Sequence, residues 1–208
     1  MDTDTVVRTR RALHAVAETV LAGPQYRASG TIRLRTYPGG FATTAEPFLQ
    51  VVGNELMAPG RRLPLTGTTS GALAAAVGVD PGPPAGLYGD GSGVGPDDPL
   101  DADPQAAQWI AHCLGIGDTA LRRLPGDGEP VLWPEHFDIG RTLDEVNYGV
   151  SAGDGYQPEP YAYVGPHTPR TGPFWNAPFG AARTVQDLGG ADGVTRFFEE
   201  GRRLAASA

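Results

Sequence analysis

Apolar residues recur at helical spacing near both ends of the chain. Over residues 5–21 they form one stripe, and the Gly23-Pro24 pair that follows predicts the end of this first helix. A second pattern begins near Asp192, where phenylalanines and leucine alternate with a Glu- and Arg-rich face at the same spacing. We therefore expect one amphipathic helix near the start of the sequence and another near its end.

Two further helices are predicted in mid-chain. Residues 68–79 are rich in alanine and favour a short, weak helix. Asp103-Pro104 is a typical helix start, since Asp can cap the first N–H groups and Pro suits the first turn. We expect this helix to stop at Gly115 and a separate helical piece to cover residues 118–124.

Alternating patterns and frequent turn residues predict short strands in the rest of the sequence. Residues 31–65 favour an antiparallel meander, because the connections are too short for helical crossovers, and residues 131–164 are also rich in strand formers. The sequence thus predicts an α+β fold, with short antiparallel strands forming a sheet or partial barrel and helices at both termini and mid-chain. We expect one domain over residues 1–208, with a possible division into lobes 1–80 and 104–208 joined by the Gly/Pro/Asp-rich loop 81–103.

The most informative stretch is the predicted hairpin over residues 136–151. A two-residue turn at Leu143-Asp144 places Thr142 opposite Glu145, Asp138 opposite Gly149 and His136 opposite Ser151. One face is then polar and carries His136, Asp138, Gly140 and Thr142, whereas the other carries Phe137, Ile139, Arg141 and Leu143.

Two interpretations of the polar face stay open. In the simpler one the apolar face packs on the core and the polar face meets water. In the other, the protein is a hydrolase or isomerase in which His136 and Asp138 are catalytic and act as a general-base pair or as part of a metal site. No cofactor is assigned, but a divalent metal is possible if a further ligand comes from Glu145, Glu159 or His167.

A second region, residues 159–176, combines aromatic rings with polar side chains. We expect a non-catalytic protein that binds a small molecule or a partner at a site between the 133–151 hairpin and this aromatic region. The alternatives are that the rings fill the core of a loop-rich fold or form a self-association contact. The candidate ligand-binding residues of this pocket are Trp133, Glu145, Asn147, Glu159, Tyr161, His167, Trp175 and Asn176.

Composition limits the classes of function. All 16 basic residues are arginine, so sites that require a lysine, such as a Walker phosphate loop or a Schiff base, are excluded. A net charge of −8 argues against nucleic-acid and membrane partners. The single cysteine, Cys113, forbids an internal disulfide, and the first residues do not form a signal peptide. We expect a soluble, cytoplasmic protein, and the richness in Arg, Ala, Gly and Pro suggests a bacterial source.

Other candidate motifs are weak. The glycine-rich segment 89–95 lacks the third glycine of a dinucleotide-binding loop, and the aspartates that follow lack the spacing of a calcium loop, so we expect a solvated loop. His14 is expected to be exposed or to cap the first helix. Arg202-Arg203 is expected to be a solvated helix end, and Cys113 a buried thiol.

The order of several short motifs resembles a family of uncharacterised bacterial proteins, a domain of unknown function. The matching motifs are Gly40–Thr43, Arg61–Leu65, Trp133 with Phe137-Asp138, Ser151–Gly153, and Tyr161–Tyr163. The resemblance implies one α+β unit with an early and a terminal helix. It implies no activity.

Overall fold

The computed structural model describes residues 1–89 and 91–207 and divides into two compact units. Unit 1 comprises residues 1–112 and 132–137, and unit 2 comprises residues 113–131 and 138–208. Helices and antiparallel strands occur in both units, which confirms the predicted α+β class. Within the described residues, no helix is both long enough and apolar enough to cross a membrane.

Unit 1 contains an antiparallel meander extended by one later strand. Hydrogen bonding gives the strand order 61–64, 55–58, 50–52, 40–43, 34–37 and 131–133, so the predicted meander is confirmed. Phe41, Val51 and Leu56 lie on its buried face. The elements are α1 (Thr3–Val16), a π-helical segment (Ala17–Ala22), α2 (Gly23–Ser29), β1 (Leu34–Tyr37), β2 (Gly40–Thr43), β3 (Gln50–Val52), β4 (Glu55–Ala58), β5 (Arg61–Pro64), α3 (Ser70–Val77), the first part of α4 (Pro104–Arg123) and β6 (Val131–Trp133).

The first helix does not end at Gly23-Pro24, so this predicted stop is wrong. The chain passes through the π-helical segment and continues as α2 until Gly30, which adopts the left-handed conformation that ends a helix. A π turn has an extra residue per turn, so the Pro24 ring meets less backbone than in a regular α-helix.

The Gly/Pro/Asp-rich segment 81–103 lies inside unit 1 and is attached to it by hydrogen bonds. The Gly71 N–H donates to the Pro96 carbonyl at 2.8 Å, and the Asp103 N–H donates to the Thr9 hydroxyl at 3.0 Å. The Thr66 hydroxyl donates to the Ala102 carbonyl at 2.7 Å. These bonds satisfy backbone groups of the segment without a sheet or a helix, which sequence periodicity does not show.

Unit 2 contains four antiparallel strands in the order β7-β8-β9-β10 and a long C-terminal helix. The apolar face of that helix contributes Phe197 and Phe198, and Phe198 packs edge-on against Tyr148 of β8 with ring centroids 5.7 Å apart. The elements are the end of α4, β7 (Asp138–Leu143), β8 (Val146–Ser151), β9 (Tyr161–Pro166), β10 (Ala181–Thr184), α5 (Val185–Leu188) and α6 (Ala191–Ala206).

Helix α4 runs without interruption through Gly115, so the predicted stop there and the separate piece 118–124 are wrong. Close packing explains why position 117 of this helix is a glycine. A Cβ at Gly117 would lie 2.8 Å from side-chain atoms of Ile139 and Val150, so only glycine lets the helix approach these strands. The two glycines thus lower helix propensity without ending the helix, because burial of its apolar face compensates.

The β7–β8 hairpin forms as predicted in type, but its register differs by one turn position. The turn residues are Asp144 and Glu145, with φ of 52° and 58°, instead of Leu143 and Asp144. Two positive φ values give the turn whose twist matches paired strands. As a result Asp138 lies opposite Ser151 and not opposite Gly149, while Asp138, Gly140 and Thr142 still share one face. The predicted alternation does not extend to His136 and Phe137, because β7 begins at Asp138 and Phe137 has a φ of 51°.

Candidate functional site

Unit 2 contains a cavity of about 480 Å³ beside the β7–β8 turn. Its walls come from that turn, the end of β9 and one face of α6. Helical spacing places Glu199, Arg202, Arg203 and Ala206 on the same side of α6, three to four residues apart. Apolar wall comes from leucine, valine, proline and alanine side chains, and the charged lining residues are Asp144, Glu145, Arg170, Glu199, Arg202 and Arg203.

Tyr148 lines this cavity and is fully buried. No group in the described ranges forms a hydrogen bond with its hydroxyl. Burial raises the pKa of Tyr148 to about 12, with Asp144 also raising it and Arg202 opposing the change. The hydroxyl is therefore protonated at neutral pH and can donate a hydrogen bond, and leaving a buried donor unsatisfied costs about 1–3 kcal/mol.

Arginine side chains supply further donors around the cavity. Arg170 donates through Nη2 to the Ala205 carbonyl at 2.8 Å, but its buried Nε–H has no partner among the residues that the structure describes. Arg202 approaches Asp144 at 3.4 Å in an exposed ion pair, which is worth at most about 1 kcal/mol. Arg203 forms no ion pair with a carboxylate anywhere in residues 1–89 and 91–207.

Three of the predicted ligand-binding residues lie together near this cavity. Glu145 lines it, and its backbone carbonyl accepts a hydrogen bond from the His167 N–H at 2.9 Å. The His167 imidazole Nε2 lies 3.4 Å from Asn147 Oδ1. Pairing of β8 with β9 explains this grouping, because Val146 lies opposite Pro166.

The other predicted ligand-binding residues have different surroundings. Tyr161 is buried and donates its hydroxyl proton to Asp154 at 2.5 Å. Asn176 bonds both the N–H and the carbonyl of Ala182, so its amide protects the outer edge of β10. Trp175 packs edge-on against Phe174, Glu159 is half-buried, and Trp133 lies in unit 1 under the guanidinium of Arg33.

The proposed catalytic residues belong to different units, and each has its own partner. His136, in unit 1, has a 67% exposed side chain whose Nε2 lies 3.5 Å from Glu135. Asp138, in unit 2, is buried and accepts a hydrogen bond from the Tyr163 hydroxyl. The use of His136 and Asp138 as a catalytic pair stays a prediction.

The expectation that the polar face of the hairpin meets water is wrong at Asp138. Tyr163 of β9 extends across the neighbouring strand, where a Cβ at Gly149 would lie 2.4 Å from its hydroxyl oxygen. The two glycines at 140 and 149 thus leave room for a ring that covers this face. Burial raises the pKa of Tyr163 well above its usual value, and the charge of Asp138 adds to this effect.

No group of three or more His, Cys, Asp or Glu side chains in the described residues is arranged to hold a metal ion. The divalent-metal version of the catalytic hypothesis therefore has no ligand set in this part of the chain.

Sequence reasoning missed Tyr148 and Arg203 as site residues, whereas Arg170 is among the polar residues of the 159–176 region that were expected to line a pocket. Arg202-Arg203 was expected to be solvent-facing, and Tyr148 sits on the apolar face of the hairpin. The only signal in the sequence for these residues is that Tyr148 occupies a core position of a strand, where its buried hydroxyl needs a hydrogen-bond partner.

Neither a scan of protein-family models nor searches of curated proteins and of solved structures found a match to this chain. The resemblance to uncharacterised bacterial proteins therefore stays a prediction.

Proposed function

We propose that this protein binds a small molecule carrying a carboxylate, in the cavity beside the β7–β8 turn of unit 2. The observation that supports the proposal most is the set of buried hydrogen-bond donors without acceptors, the Tyr148 hydroxyl and the Arg170 Nε–H. Buried polar groups in folded proteins are nearly always hydrogen-bonded, so such donors favour a ligand with acceptor atoms.

The charges around the cavity support the same class of ligand. Arg203 has no carboxylate partner in the described residues and supplies a fork of donors that matches a carboxylate. Arg170 is half-buried, which strengthens its attraction to an anion compared with a fully solvated arginine. Glu145 and Glu199 are exposed and disfavour ligands with several negative charges.

The size and walls of the cavity indicate the rest of the ligand. A volume near 480 Å³ is in the range of sites for metabolites and drug-sized molecules. Val146 and Leu124 are buried side chains at its wall, so an apolar body attached to the carboxylate would fit there. Aliphatic or aromatic monocarboxylates are thus the preferred class of ligand. Binding of such a ligand requires neither assembly of the protein nor catalysis.

Thermal unfolding in the presence of a panel of monocarboxylates tests the proposal. A ligand at 100 times its Kd stabilises the folded protein by about 2.7 kcal/mol, which raises Tm by several degrees. Tyr148→Phe and Arg203→Ala are each expected to weaken binding about tenfold or more.

Arg196→Ala is the matched control, because Arg196 is also on α6 and exposed but does not line the cavity. It is expected to bind like the unmodified protein. If no carboxylate stabilises the protein, or if Arg196→Ala weakens binding as much as Arg203→Ala does, the proposal is wrong.

A further inference from the structure

A serine hydroxyl and a buried carboxylate meet in unit 1, outside the site described above. The Ser92 hydroxyl donates to Glu18 Oε2 at 2.8 Å, and the Ser92 N–H donates to the same oxygen at 3.0 Å. A nucleophile and a base within 2.6–3.2 Å of each other form the arrangement that activates a serine.

Glu18 holds its position because of the π-helical segment. The segment Ala17–Ala22 is buried throughout, and Glu18 is 5% exposed within it. Insertions of this type in helices are rare and occur often at functional sites. A buried carboxylate is costly unless it is hydrogen-bonded, and Ser92 supplies two donors to Glu18.

Ser92 approaches from the glycine-rich segment 89–95 and keeps contact with solvent. The residue is half-buried. A Cβ at Gly91 would lie 1.9 Å from Glu18 Oε1, so a larger residue there would displace the Glu18 carboxylate. This segment is predicted to be a solvated loop; among its described residues Gly91 is exposed, and Ser92 is half-buried and hydrogen-bonded to Glu18.

The neighbouring titratable groups leave Glu18 as the proton acceptor of this cluster. His14, one turn earlier, is half-buried and not exposed as expected, with Nε2 2.7 Å from the Pro134 carbonyl and its ring stacked on Phe137. Burial lowers the pKa of His14, so its imidazole is neutral at pH 7 and donates Nε2–H to that carbonyl. Burial raises the pKa of Tyr88, followed by the charge of Glu18, so Tyr88 is a donor and not a base.

We propose that Ser92 is a catalytic nucleophile and Glu18 its general base, in a hydrolase site for small carboxylic esters. Ser92 Oγ attacks the ester carbonyl carbon while Glu18 accepts the hydroxyl proton. The C–O bond to the alcohol breaks, and the leaving alkoxide takes the proton from Glu18. Water then attacks the acyl carbon while Glu18 accepts one of its protons. The bond between that carbon and Ser92 Oγ breaks, and Oγ takes the proton from Glu18, which releases the carboxylic acid and restores both residues.

Two measurements on the full-length protein test this site. The first is hydrolysis of p-nitrophenyl acetate, and the second is labelling by a fluorophosphonate probe located by peptide mass spectrometry. The expected result is hydrolysis above the buffer rate and a probe adduct on Ser92, both lost in Ser92→Ala. Ser29→Ala is the matched control, because the Ser29 hydroxyl only bonds the Gln25 carbonyl of its own helix.

The Glu18→Gln variant tests the base. It is expected to lower kcat about 10²-fold or more. Thermal unfolding of each variant identifies any that fails to fold; should Glu18→Gln fail, Glu18→Asp replaces it and is expected to retain part of the rate. An adduct elsewhere, no adduct, or a folded Ser92→Ala variant with unchanged hydrolysis would show that the Ser92–Glu18 contact is only structural.

Discussion

Arg141 offers the sharpest test of how unit 2 is held together. Its side chain is buried, with 8% of the residue exposed, and it donates five hydrogen bonds to backbone carbonyls at and beyond the end of α4. The acceptors are the carbonyls of Leu121, Leu124, Pro125, Gly126 and Asp127, at 3.3, 3.2, 2.9, 2.7 and 3.2 Å. These include carbonyls that a helix end leaves without partners.

Replacing Arg141 by alanine should lower the free energy of unfolding by about 3 kcal/mol. A hydrogen bond from a charged donor contributes about 1.5–3 kcal/mol, but the five bonds are not additive, because water can reach the exposed residues that follow the helix. If only the two shortest bonds count, at about 1.5 kcal/mol each, the loss is about 3 kcal/mol, or about a hundredfold change in the folding equilibrium.

Urea unfolding followed by far-UV circular dichroism measures this change, and hydrogen exchange of residues 121–127 locates it. Arg141→Lys should fall between the two proteins, since an ammonium has three donors and no planar fork. Arg122→Ala is the control: Arg122 is about half exposed and pairs with Asp118 and Glu129, so its loss should cost less than about 1 kcal/mol. Equal losses for Arg141→Ala and Arg122→Ala would refute the reasoning.

Three further predictions concern other buried groups. Gln25 uses its amide to bond the Thr31 carbonyl at 2.9 Å and the Thr44 N–H at 2.6 Å, so Gln25→Glu, which cannot donate to that carbonyl, should destabilise unit 1 by about 2 kcal/mol in urea unfolding; an unchanged midpoint would contradict this. Burial raises the pKa of Cys113 to about 12, so the thiol should not react with a disulfide reagent at pH 8 until urea unfolds the chain, whereas fast reaction of the native protein would count against the buried position. Because the pKa of His14 is lowered in the folded state, the unfolded chain binds its proton first, and stability should fall as pH drops below about 6.5; His14→Asn should lose this dependence, and an equal decline in both proteins would argue against it.

Sequence patterns could predict the class of fold because the formation of helices and strands depends on the spacing of nearby residues. Alternation and short connections indicated the meander, and Asp103 caps α4 as expected, accepting hydrogen bonds from Gln105 and Ala106. The role of some glycines could not be predicted from the sequence, because tertiary packing determines it. Gly117 allows α4 to approach two strands closely, and Gly149 makes room for the ring of Tyr163.

The cavity could not be predicted in the same way. Its donors Tyr148, Arg170 and Arg203 are separated by more than 20 residues in each case, so no spacing connects them. The hairpin pattern predicted that these two strands pair, but it placed Glu145 opposite Thr142, whereas Glu145 is a turn residue. The turn was misplaced because its two positive φ values fall on Asp144 and Glu145, without the glycine or asparagine that usually marks such a turn.

The central claim is that donors around the unit 2 cavity bind a carboxylate, and nuclear magnetic resonance of the arginine Nε–H groups tests it most directly. During titration with a monocarboxylate that raises Tm, the signals of Arg170 and Arg203 should shift and saturate together, while that of Arg141 stays in place. Saturating ligand with no change at Arg170 and Arg203, or equal changes at all arginines, would contradict the account.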